Sequence, residues 1–270
     1  VRPGWNPTRR NRNIGTAKQG LGQDNRLVVP KGWPDDRLFW EVLHDPVAVS
    51  RVVGATRLTF LVEPPRAGSF HACTIDDVCQ VLEHVPPAHL NGIDLIVLRQ
   101  PTRKQELLRP VWGRLAYFAD HGRHTGTAIY LDAHGAKSWR WSLSLTPDDA
   151  TELERLRQDG HVVTRERRHH LLETSASSVR ATQLFRTLLH ELGHYVDWLE
   201  SVVRPTANLT DQAELDRVRA AYRSKPHRMR EDFAHRYAGE TAKRVPRFTP
   251  VHDHARMRAE GLDPGWFAGK

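Results

Sequence analysis

Apolar residues recur along this chain in two rhythms, and the change between them divides it. Arg57–Val62 and Ile93–Leu98 are short, nearly continuous apolar runs and predict strands; Pro64-Pro65 ends the first. Arg114–Ala119 and Thr127–Leu131 alternate enough to predict two more, and Trp141–Leu145 a further one. Two helices interrupt this strand-rich half. Thr74 can cap a helix over Ile75–His84 with Val78, Val81 and Leu82 inward, stopped by Pro86-Pro87. Thr146-Pro147-Asp148-Asp149 opens another that runs to about Gln158, and Gly160 ends it.

Further along the rhythm becomes helical. Val179, Leu184, Leu188, Leu192, Val196 and Leu199 form one stripe, and Thr174, Ser175, Ser177 and Ser178 offer capping oxygens just before it. Asp211–Tyr222 predicts a polar helix with Leu215 and Val218 inward. Pro226 then ends one helix and lets another begin, on which Met229, Phe233 and Tyr237 follow at four-residue steps and Ala234 and Ala238 permit close helix contact. From Val245 the chain is rich in Pro and Gly, which predicts loop or short helix.

Chemistry concentrates in one turn of the striped helix, His190-Glu191-Leu192-Gly193-His194. Residues four apart on an α-helix point the same way, so neutral His190 and His194 can both reach one Zn²⁺. Glu191 then lies beside the metal without ligating it and can take a proton from metal-activated water. Leu192 and Gly193 are apolar or small, as packing behind a metal requires. A zinc site of this kind needs a third protein ligand and an open fourth position. Glu231, on the helix after Pro226, shares a side with Ala234 and His235 and is the chosen third ligand. His227, His235, Glu200, Asp211 and Glu214 are its rivals.

These residues carry a resemblance. H-E-x-x-H on one helix with a Glu on a later helix resembles the gluzincin arrangement of zinc metallopeptidases. Glu231-Asp232-Phe233-Ala234 is similar to the E-x-F-A run that carries the ligand Glu in peptidases like anthrax lethal factor. Phage and bacterial cytoplasmic peptidases of the ImmA/IrrE type share the H-E-L-G-H helix but place their Glu nearer to it. The resemblance covers roughly residues 179–240. It implies a zincin-like α+β fold: a small mixed β-sheet packed on the active-site helix, followed by a helical subdomain. It implies a zinc metallopeptidase that hydrolyses peptide bonds, with one zinc on His190, His194 and Glu231 and with Glu191 as general base. It also implies that a sheet-edge strand holds an extended peptide, for which residues 126–132 are the candidate.

Around the turn, Asp197 can orient a ligand His through its second ring nitrogen or act as an exposed carboxylate pairing with Arg. His235 is expected at the surface. Tyr195, Tyr222, Tyr237 and His235 are candidate oxyanion donors, though packing accounts for the tyrosines as well. His252/His254, His169/His170 and His121/His124 read as surface groups.

The 270 residues carry a net charge of +8, and 39% are hydrophobic, enough for a folded core. Residues 1–37 set Arg2, Arg9, Arg10, Arg12, Lys18, Arg26, Lys31 and Arg37 against Asp24, Asp35 and Asp36. They predict a flexible basic arm, either solubilising or able to touch nucleic acid or an acidic partner. The metallopeptidase domain is expected over 38–244, with a C-terminal extension over 245–270. No apolar run suits a membrane span and no leader-like segment opens the sequence, so a cytoplasmic protein with reduced Cys73 and Cys79 is expected. Repeats, a P-loop, a dinucleotide fingerprint and a G-x-S-x-G elbow are absent. Two other readings remain: a nucleic-acid-associated protein with a structural or regulatory zinc site, and a zinc hydrolase of a non-peptide amide.

Overall fold

The computed structural model describes residues 38, 40–108, 111–135 and 138–267. The basic arm expected over 1–37 lies outside them. Among the described residues ten strands are formed, in chain order: β1 (Val47–Val53), β2 (Thr56–Val62), β3 (Ser69–Phe70), β4 (Leu95–Arg99), β5 (Gly113–His121), β6 (His124–Asp132), β7 (His134–Gly135), β8 (Ser138–Ser142), β9 (Val162–Arg165) and β10 (His169–Glu173). The main sheet runs β1-β2-β4-β6-β5. Its three inner strands are parallel, and the outer two, β1 and β5, pair antiparallel to their neighbours. Every residue of β4 is buried, as expected where both faces of a sheet are covered. A three-stranded sheet, β8-β10-β9, and a short β3-β7 pair complete the strands of the described residues.

The helices are α1 (Ile75–Leu82), α2 (Arg103–Leu108), α3 (Pro147–Gln158), α4 (residues 176–206), α5 (Gln212–Ser224), α6 (His227–Ala242) and α7 (His254–Ala259). Thr74, Thr146 and Ser175 each close a capping box at the start of α1, α3 and α4. Gly160 follows α3 with φ +93, a backbone region in which a Cβ is strained. The long α4 is α-helical over Leu188–Trp198 and carries π turns on either side, at Gln183–Thr187 and Leu199–Val203. The whole apolar stripe from Val179 to Leu199 is buried. It packs with Val78, Val81 and Leu82 of α1 and with Ile96, Leu98, Ile129 and Leu131 of the sheet in one core. Val245, Met257, Leu262 and Phe267 belong to that core too. The fold is therefore α+β around a mixed sheet.

Some expectations shift. The strand expected over 93–98 begins two residues later, and the one expected over 141–145 lies at Ser138–Ser142, where Trp139 and Trp141 pack on Leu153, Leu156 and Leu172. Met229, one turn before Phe233, is exposed. Residues 126–132 do not form an edge. They lie in β6, bonded to β4 on one side and β5 on the other, so the edge strand beside α4 is β5. Three consecutive parallel strands place β6 inside, an arrangement that local alternation does not encode. Cys73 is buried, Cys79 half-buried, and both are free thiols. No helix among the described residues is long and apolar enough to cross a membrane.

One buried histidine makes stability depend on pH. His71 is buried, its Nε2–H donates to the Glu63 carbonyl at 2.7 Å, and burial pushes its pKa from 6.5 down to about 4. Between those values the unfolded chain holds a proton that the folded chain has released. Stability is therefore full above the unfolded value and falls as pH drops towards the folded one. His71 alone is expected to remove about 3 kcal/mol by pH 4. Urea unfolding of wild type and His71→Gln across this range tests it; parallel pH profiles for the two proteins would contradict it.

Candidate metal centre

The site is made by α4 lying against α6. At Gly193 the two helices come close, since a Cβ there would stand 2.9 Å from the Cα of Ala234 and 3.0 Å from its carbonyl oxygen. That contact brings His190 and His194 on α4 opposite Glu231 and His235 on α6. His190 Nε2 lies 3.1 Å from His194 Nε2 and 3.3 Å from Glu231 Oε2, and His194 Nε2 lies 3.5 Å from Glu231 Oε1. Donors bound about 2.0–2.1 Å from one tetrahedral ion stand about 3.3 Å from one another. The three predicted ligands thus have the mutual spacing of a metal's coordination shell.

His235 joins them, against the expectation of a surface role. Its ring centroid is 4.4 Å from that of His190, and donor atoms of His190, Glu231 and His235 all lie within 4.8 Å of one another. This group can hold a metal ion. The sequence signal for His235 was its place one turn after Glu231, on the same face of α6.

The charge states of His194, His235 and Glu231 suit ligation. Burial, and after it the neighbouring His190 ring, pushes the pKa of His194 and of His235 down to about 4. A hydrogen bond with His190 holds Glu231 at about 2, with His194 and His227 adding to it. Neutral imidazole and ionised carboxylate are the forms that bind metal. Glu191 points elsewhere. Its carboxylate accepts the backbone N–H of Leu115 on β5, and burial pushes it up to about 7. The edge strand is tied to α4 a second time, since Tyr117 Oη donates to the His194 carbonyl at 3.3 Å. No motif pointed to Leu115 or Tyr117, because their roles depend on β5 being the outer strand.

The surrounding residues sort differently from expectation. Asp197 is buried but bonds to no histidine among the described residues; it accepts from Lys225 Nζ at 3.0 Å and Ser201 Oγ at 3.3 Å. The short α5–α6 connection carries Lys225 back over the end of α4, which captures the carboxylate. His190 Nδ1 is buried and has no hydrogen-bond partner among the described residues. His227 is highly exposed, with Nε2 3.3 Å from Glu231 Oε1, at the rim of the group. Tyr195 donates to the Asn91 carbonyl, Tyr237 pairs with His89 Nδ1 at 3.0 Å, and Tyr222 meets Tyr117 at 3.5 Å. All three tyrosines are thus engaged in packing between elements. A cleft of about 490 Å³ opens beside the group, with Glu231, His227 and His235 on one wall and Asp149, Glu152 and Arg155 of α3 on the other. Comparison of the chain with known protein families, with curated proteins and with solved structures finds no match.

Proposed function

We propose that this protein is a zinc-dependent metallopeptidase of gluzincin type. The observation that carries the reading is the convergence of His190, His194 and Glu231 at 3.1–3.5 Å, with Glu191 half-buried alongside and bonded to the edge strand. Two imidazoles and one carboxylate suit zinc, and three protein donors leave a fourth position for water. Bound zinc supplies Lewis acidity, acidifying water and polarising a carbonyl oxygen.

The chain's own groups do the rest. Glu191 accepts the proton of the attacking water and returns it to the leaving amine. Burial raises its basicity towards neutrality while the Leu115 N–H fixes its orientation. Beyond Leu115, the outer side of β5 pairs with no other strand among the described residues. An extended substrate can add there as a further strand, held by backbone hydrogen bonds that tolerate many sequences. This assigns to Gly113–His121 the role first expected of residues 126–132.

Digestion of a peptide mixture by the zinc-loaded protein tests the reading. Cleavage that a chelator abolishes and added zinc restores is the expected outcome. Intact peptides, with turnover of a non-peptide amide, would transfer the same site to another class of hydrolase.

A further inference from the structure

His235 poses a question that the three-ligand reading, on which this inference rests, does not answer. A third imidazole, as a fourth protein ligand on the metal, would complete a tetrahedron and leave no position for water. His235 is close enough to His190 and Glu231 to be that ligand. Its Nε2, however, lies 3.3 Å from Nη1 of Arg155.

A guanidinium only donates, so His235 Nε2 must present its lone pair to Arg155, and the single proton of the neutral ring must sit on Nδ1. Ligation through Nε2 would use that same lone pair. Ligation through Nδ1 would move the proton to Nε2, where it would face the N–H of Arg155. By either nitrogen, the Arg155 bond and metal ligation exclude each other. Arg155 is well placed to hold this bond. It stands in the last turn of α3, whose Leu153 and Leu156 are buried on either side of it in sequence. The Glu152 carboxylate is 3.8 Å away from Arg155 and is held by Arg186.

We propose that Arg155 is a positioning residue that keeps His235 off the metal, so that the fourth coordination position stays open. Loss of Arg155 closes the site by letting His235 bind.

Cobalt substitution reads this directly, with azide as a probe for an open position. Wild-type protein loaded with Co²⁺ should change its visible spectrum on addition of azide. Arg155→Met should lose that response and hold the metal about tenfold more tightly or better, the scale on which groups around a ligand tune a site. Arg155→Met/His235→Ala should recover the azide response, and Arg155→Lys, which still donates, should retain it. An Arg155→Met protein that answers azide as the wild type does, or a double variant that does not recover, overturns the proposal while leaving the zinc reading intact. Failure of the wild type to bind Co²⁺ or Zn²⁺ overturns both.

Discussion

Glu191→Gln is expected to bind metal as the wild type does and to hydrolyse peptide about 10²–10⁴-fold more slowly, the span that general-base catalysis contributes. The substitution isolates one function. Glu191 takes no part in the His190–His194–Glu231 contacts, so its loss leaves the donors in place. A glutamine has the same shape, and its amide oxygen can still accept the Leu115 N–H. What it lacks is a basic lone pair able to take a proton near neutral pH. The wild-type carboxyl has that property because burial pushes it up to about 7. Parallel measurement of bound metal and of turnover separates the outcomes. A variant with wild-type turnover would remove Glu191 from the mechanism, whereas one that also loses metal would show that the carboxylate holds the site together.

Asp77→Ala is expected to destabilise the fold by about 3–5 kcal/mol, the cost of stranding one member of a buried ion pair. Asp77 is buried on α1 and joins three parts of the chain. It closes the capping box by accepting the Thr74 N–H at 3.0 Å. It accepts Nε and Nη2 of Arg180, in the first turns of α4, at 3.0 and 2.9 Å, and the Val251 N–H at 3.0 Å. Truncation leaves the Arg180 guanidinium buried without its carboxylate and unties the start of α4 from α1 and from the C-terminal segment. Denaturant midpoints for wild type and variant measure the effect. A change below about 1 kcal/mol would mean that water or Phe248, over whose ring Arg180 lies at 4.7 Å, replaces the pair.

Much of this arrangement is legible in the sequence where the signal is local. The stripe from Val179 to Leu199 identifies the core helix, and its Ser175 cap is visible as a serine cluster. Pro226 separates α5 from α6, and the small residues Gly193, Ala234 and Ala238 foretell that α4 and α6 touch closely. The helix face then delivers His190, His194 and Glu231 together. What depends on strand order or on distant contacts is not legible. The position of β5 outside β6 decides which backbone N–H meets Glu191, and alternation within either strand carries no such information. Asp197 sits on the ligand face by spacing, yet Lys225, brought back by the α5–α6 connection, takes its carboxylate. His235 reads as a surface histidine until α3, from an earlier stretch of chain, brings Arg155 against it. The Thr74 cap of α1 is visible in sequence, but the pairing of Asp77 with Arg180 spans the fold and is not.

The most direct test of the central claim is the metal content of purified wild type and Glu231→Ala, measured side by side by elemental mass spectrometry. One zinc per wild-type chain and its loss from the variant are expected, since Glu231 is the only carboxylate within 3.5 Å of both His190 and His194 Nε2 among the described ion pairs. A wild-type protein that takes up no metal, even after zinc is added back, would contradict it.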